Sequence, residues 1–215
     1  MTHLHRDHAD AAALSAALTP GAPVLVPAPY GGTEMEEASV SQAARELAAA
    51  GLAVEPLAPW QSLDVGGWSI TALPAADGLG DPQVSWLVSR GGVTIVHAGD
   101  TLTHGWWWRV AARAPTRVEA AFLPVNGARI AFPHRRPVSP LRAVMDATEA
   151  AVAARILRAR SLVPIHYGAY DFPPFYVPDP EPVDALSRHH DEFRVLTPTL
   201  GEWVTLSATT ATAAS

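Results

Sequence analysis

Three imidazoles and a carboxylate fall within one short stretch at the start of the chain, Thr2-His3-Leu4-His5-Arg6-Asp7-His8. His3 and His5 lie two apart, so an extended backbone projects both from one face. Asp7 and His8 follow at once, and two metal ions can divide such a set between them. Imidazole nitrogen and carboxylate oxygen suit zinc, manganese or iron. Each ion needs roughly four to six ligands, so the fold must carry further ligands to this stretch. A free amine with His at the third position also chelates copper or nickel. That accounts for His3 alone and leaves His5, Asp7 and His8 without a role.

The absent residue types narrow the chemistry further. The chain has no Cys, which excludes disulfides, thiolate metal sites and cysteine nucleophiles. All 15 basic residues are Arg, so Schiff-base, P-loop and general-base lysines are excluded as well. A formal net charge of -6 without a basic run argues against nucleic acid as partner. With 215 residues, 48% of them hydrophobic, the chain can bury one real core. We expect a single domain over residues 1–207 and a small, polar, frayed tail over 208–215. No stretch approaches a membrane span of roughly 18 apolar residues, and the N-terminus has no signal-peptide pattern. A soluble cytoplasmic protein without membrane contact is expected, and a homo-oligomer is open.

The hydrophobic pattern alternates helices and strands. Helices are expected over Ala9 to Leu18, Glu34 to Ala50 (Thr33 as N-cap) and Gly105 to Arg113. Ser139 to Arg160 is expected to be the longest, with Val144, Ala151 and Ile156 in the core. Strands are expected at Val24 to Val26, Leu52 to Leu57, Trp68 to Leu73, Ala120 to Pro124 and Leu162 to Ile165. Val84 to Ser89 and Val93 to His97, joined through Arg90-Gly91-Gly92, read as a hairpin. Val195, Leu196 and Trp203 to Leu206 suggest a closing pair. The fold class is α/β with a mixed sheet.

Three later positions qualify as ligands, each directly after an apolar strand, where loops of α/β proteins carry function. Asp100 ends the run from Val93, after a Gly99 that permits a tight turn. Its plain alternative is a helix N-cap. His166 ends Leu162-Val163-Pro164-Ile165, the alternative being a core imidazole bonded to a carbonyl. Asp77 follows the strand ending at Leu73, and Asp77-Gly78 is also a common turn pair. Asp81 is a nearby competitor for that role.

His-x-His-x-Asp-His, then Gly99-Asp100-Thr101 after a strand, then a strand-terminal His166, resembles the metallo-β-lactamase fold superfamily. Val96-His97-Ala98-Gly99-Asp100-Thr101 and Pro164-Ile165-His166-Tyr167-Gly168 are similar to its branch of metal-dependent hydrolases that includes L-ascorbate-6-phosphate lactonase. The resemblance runs from Thr2 to about Leu206. It implies an αβ/βα sandwich of two mixed β-sheets flanked by helices, with two divalent ions at one edge. By resemblance His3 and His5 hold the first ion, and Asp7 and His8 the second. Asp100 bridges them, and His166 completes the second shell. Asp77 stands where the family usually places a His, which shifts metal preference from zinc toward manganese or iron. The family also places a hairpin and further strands ahead of the His cluster, so the resemblance implies an N-terminally truncated form and a longer upstream reading frame.

The implied reaction is hydrolysis of a small-molecule ester, lactone or phosphodiester by hydroxide held between two metals. Asp7 is both ligand and proton acceptor in this scheme, and His104 donates to the leaving group. A nuclease or phosphodiesterase of the same fold, or a catalytically degenerate metal-binding scaffold, are the alternatives. His134-Arg135-Arg136 is a candidate anion-binding loop, which allows an anionic substrate. Tyr167, Tyr170, Phe172, Phe175 and Tyr176 are candidate pocket walls on a proline-rich, rigid loop. Of Trp106, Trp107 and Trp108, one or two belong to the core and one to the pocket mouth. His97 is expected to pack beneath Asp100, and His189 and His190 to lie at the surface.

Overall fold

The computed structural model describes the whole chain except Arg6, 30–33, Asp81, 134–136, Val138, Pro140, His190, Leu200 and 207–215, and the side chains of 34–40. Thr33, Asp81, His134-Arg135-Arg136, His190 and the tail therefore lie outside the described residues. The chain begins with α1 (Ala11–Ala17), β1 (Pro23–Pro27), α2 (Glu34–Ala49) and β2 (Ala53–Leu57). The strands β3 (Ser62–Val65), β4 (Trp68–Pro74), β5 (Val84–Arg90) and β6 (Val93–His97) follow. Next come α3 (Trp107–Arg113), β7 (Val118–Pro124), β8 (Arg129–Ile130), α4 (Ala147–Ile156) and β9 (Ser161–Ile165). The last elements are β10 (Tyr176–Val177), α5 (Pro182–Leu186), a single 3₁₀ turn and β11 (Arg194–Val195).

Seven strands form one mixed sheet in the order β11-β9-β7-β6-β5-β4-β3. β3 to β6 pair antiparallel, while β6, β7, β9 and β11 run parallel. Parallel neighbours need crossovers, and α3, α4 and α5 supply them. Two reversals from β6 return β4 to the same direction. The carboxyl ends of β4, β6, β7 and β9 therefore meet at one edge of the sheet, which is the edge that positions the site.

Alternation along each strand separates two cores. Leu73, Val96, Leu123 and Leu162 point to the side covered by the helices, where Trp107, Val110 and Met145 are fully buried. α4 turns Ala147, Ala150, Ala151, Ala153 and Ala154 inward, and these small side chains let the helix approach the sheet closely. On the opposite side Ala72, Val84 and Trp86 pack against Leu25 and Leu57 of the parallel pair β1–β2. α2 contacts β2, burying Ala43 and Leu47. The layers are thus helix, sheet, sheet, helix. Among the described residues the second sheet is the two-stranded parallel pair β1–β2, narrower than the mixed sheet expected.

Three local expectations change. The helix expected from Ser139 starts only at Ala147, because Asp146 closes a capping box. Its carboxylate accepts from Glu149 N–H at 2.8 Å, and the Glu149 side chain accepts from Asp146 N–H at 3.0 Å. Upstream of this cap the chain instead bridges, Arg142 to Arg129 and Asp146 to Asn126. The longest helix is α2, at 16 residues. β3 was not anticipated, although Gly66-Gly67 supplies both positive φ angles of a two-residue hairpin turn (57° and 79°). The closing pair reduces to Arg194–Val195 beside β9. Trp203 to Leu206 form no strand and Trp203 is 99% exposed.

Removing the cap tests the account of α4. Asp146→Ala should destabilise the protein by about 1 kcal/mol, read as a lower urea midpoint with unchanged slope.

Candidate metal centre

The first residues lie as an extended segment along β5. Val84 N–H donates to the Thr2 carbonyl at 2.9 Å, His3 bridges Gln83, and Trp86 Nε1 donates to the Met1 carbonyl at 3.0 Å. A turn then brings His8 N–H onto the His5 carbonyl at 2.9 Å. The loop after β6 presses against this segment. Gly99 has φ 66°, and a Cβ there would stand 2.8 Å from Thr2 Cβ. A side chain at position 99 would therefore push Asp100 away from His3.

Around Asp100 the imidazoles converge. Its Oδ2 lies 3.0 Å from His166 Nε2, 3.2 Å from His8 Nε2 and 3.6 Å from His3 Nε2. Two triads have ligand atoms within 4.8 Å of one another: His3, His8 and Asp100, and His3, His5 and Asp77. His3 belongs to both, and its ring centre is 4.5 Å from that of His5 and 4.1 Å from that of His8. Asp77 also serves its turn, accepting from Leu79 N–H at 2.6 Å. The turn and the ligand position are thus one structure. Asp7 stands at the rim, 48% exposed in its side chain, with Oδ2 3.7 Å from His8 Nε2. Asp7 lies outside both triads.

The electrostatics show what this arrangement lacks. Burial pushes the His3 imidazole down to about 2, so it stays neutral. Burial opposes charge on Asp100 too, but hydrogen bonds from His166 and His8 outweigh it and hold the carboxyl well below the ordinary range. Burial also lowers His8, and the bond and charge of Asp100 reverse that into a net rise. Among the described residues, His3 Nε2 and Asp100 Oδ1 are nevertheless buried without a hydrogen-bond partner. Such orphaned atoms are costly in a folded core. A neutral imidazole and a carboxylate facing each other without a shared proton are the donor set of a cation, and the residues fit a divalent ion on that ground.

Asn126 fixes the orientation of one ligand. Its Oδ1 accepts from Ala128 N–H at 3.3 Å and lies 3.1 Å from His166 Nδ1. A backbone N–H can only donate, so this atom is oxygen and His166 Nδ1 carries a proton. Nε2 is thereby turned toward Asp100, 3.0 Å away, the orienting pattern that metal-ligating histidines need. His166 holds this pose at φ 58°, a left-handed conformation costing a non-glycine residue roughly 1–2 kcal/mol. Strain of this kind persists where the surroundings over-determine it.

The centre opens into a cavity of about 590 Å³ lined by His5, Asp7, Asp77, Asp100 and His166 together with apolar side chains. Tyr170 and Tyr176 form part of its wall as expected, whereas Phe172 and Phe175 stack on each other outside it. His104 does not line it. It stacks on Trp107, ring centres 4.3 Å apart, because the buried Trp107 draws the start of α3 inward. That placement gives His104 no access to a leaving group. Trp107 is the core member of its triplet; Trp106 and Trp108 are exposed, and neither lines the cavity. His97 stacks on Phe122 and accepts from Gly99 N–H at 3.3 Å, lining a smaller cavity of about 370 Å³ beside Asp100. His189 lies half-buried in the 3₁₀ turn.

Asn126 and the hydroxyl of Tyr176 are what sequence reasoning missed. The signal for Asn126 was present, since it is the only Asn in the chain and sits between a buried strand and Gly127. Asp100 and His166 share that strand-end setting.

Strain and orientation are separable by mutation. In metal-free protein His166→Gly should be more stable than His166→Ala by about 1 kcal/mol in urea unfolding; equal midpoints would refute the strain. Asn126→Ala should weaken metal affinity about 10–100-fold in a chelator competition.

The chain is 27% identical over 143 residues to a UPF0173 metal-dependent hydrolase of Methanoregula boonei, covering 62% of this chain and 57% of that protein. It is 31% identical over 118 residues to one of Nitratidesulfovibrio vulgaris, covering 54% and 41%. The chain thus spans about half the length of the curated relatives it matches. Among solved structures, Igni18, a metallo hydrolase of Ignicoccus hospitalis, superposes with TM-score 0.66 at 21% identity over 96% of this chain and 78% of that one. CmlA, a diiron β-hydroxylase of Streptomyces venezuelae, gives 0.72 at 18% identity over 93% and 43%. These likenesses show the fold. Residues 1–167 match the Beta-lactamase superfamily domain, and the chain belongs to that family, with a metallo-β-lactamase fold.

Proposed function

We propose that this chain is a metal-dependent hydrolase that holds two divalent cations at its two His3-sharing triads and cleaves an ester, lactone or phosphodiester of a small molecule. One observation carries the reading: each triad presents ligands to the wall of a single cavity, Asp100 from one and His5 and Asp77 from the other. The curated relatives are themselves named metal-dependent hydrolases. Divalent ions in such a set supply an activated water and polarise the bond to be cleaved.

The side chains divide the work. His3, His5 and Asp77 hold one ion, and His8, His166 and Asp100 the other, with His3 and Asp100 at the junction. A carboxylate at position 77 adds a hard, anionic oxygen, which favours manganese or iron over zinc there. Asp7, half exposed at the cavity rim, is placed to accept the proton released when water attacks. Leu79, Ile130, Phe132 and Val144 give the cavity an apolar wall, which suits a small molecule with an apolar part. Arg129 and Arg142 are engaged by Asp179, at 3.0 Å and 2.9 Å, and neither lines the cavity.

Metal analysis and kinetics test this together. After chelation and reloading with zinc, manganese or ferrous iron, the wild type should hold two ions per chain. Asp77→Ala should hold one, and His3→Ala fewer than one. Asp7→Ala should lose on the order of 100-fold or more in kcat across a panel of esters, lactones and phosphodiesters. A wild type that holds two ions and hydrolyses nothing in the panel would be a metal-binding scaffold instead.

A further inference from the structure

We propose that the Tyr176 hydroxyl donates a hydrogen bond to the substrate oxygen that gains negative charge, and that Asn126 holds it in position to do so. This rests on the hydrolase reading above. The argument is one of counting protons. Asn126 Oδ1 is identified as oxygen by the Ala128 N–H that donates to it. The other end of the amide, Nδ2, therefore donates to Tyr176 Oη, at 2.9 Å. Tyr176 receives that bond as an acceptor, so its single O–H proton is not spent on Asn126. Among the described residues no acceptor for this proton is present, and Tyr176 lines both cavities beside Asp7, Asp100 and His166.

The backbone around Tyr176 is fixed without using its hydroxyl. Tyr176 pairs with Ile130, and Val177 with Arg129. Asp179 N–H donates to the Asn126 carbonyl at 2.7 Å, and the Asp179 carboxylate receives Arg129 and Arg142. A donor held this firmly beside reacting atoms stabilises developing charge with little reorganisation. The same amide thus orients His166 toward the ions and Tyr176 toward the substrate. No covalent bond to Tyr176 forms, and its proton stays on the phenol oxygen.

Tyr176→Phe removes the hydroxyl and keeps the ring. The variant should retain the wild-type metal content and circular dichroism. Its kcat on the best carbonyl substrate should fall on the order of 100-fold with KM little changed. Methylphosphonate, a tetrahedral oxyanion, should bind the metal-loaded variant at least about tenfold more weakly than wild type in calorimetry. Equal affinity in both proteins, including no binding to either, would overturn the assignment. If methylphosphonate binding falls while the wild type hydrolyses nothing, the donor stands and the hydrolase reading fails.

Discussion

A buried carboxylate ringed by three imidazole nitrogens sets the terms for the rest of this molecule. Asp100 Oδ2 has His166, His8 and His3 within 3.6 Å, and Asp100 and His3 are themselves buried. Bare charge in such a place is costly, and so is an unpaired imidazole. The cluster is tolerable only where protons or cations sit between its members, and the framework must be stiff enough to keep it assembled. The sheet supplies that stiffness: β6 and β9 flank β7, and their carboxyl ends present Asp100 and His166 on either side of Asn126.

The N-terminal segment depends on the same constraint. It contributes His3, His5 and His8, and Thr2 and His3 are held against β5 and the loop after β6. Gly99 permits this close approach because a side chain there would occupy the space of Thr2. At the other side His166 accepts a left-handed backbone so that its ring can reach Asp100. One ligand is reached by omitting a side chain and the other by accepting strain.

The aromatic wall connects this centre to its cavity through Asn126, which bonds a ligand with one end of its amide and Tyr176 with the other. The Arg129–Asp179–Arg142 network anchors the segment bearing Tyr176. None of the three lines the cavity. Arg129 and Arg142 serve placement.

Much of the site was legible from local order. His3, His5, Asp7 and His8 announce themselves by spacing, and Asp77, Asp100 and His166 by following apolar strands. Short apolar or alternating runs revealed β1, β2, β4 to β7 and β9. Residue type and periodicity are local properties, so sequence alone supplied the candidate ligands and determined the α/β class. Which of these side chains come together was not local. The pairing of His3 with Asp77 and with Asp100 depends on strand order, and strand order depends on crossovers of long sequence separation. The tertiary structure likewise moved His104 onto Trp107, shortened the helix before Asp146 and brought Tyr176 to Asn126, 50 residues earlier. Each of these outcomes follows from packing and hydrogen-bond satisfaction between distant segments, which a linear pattern does not encode.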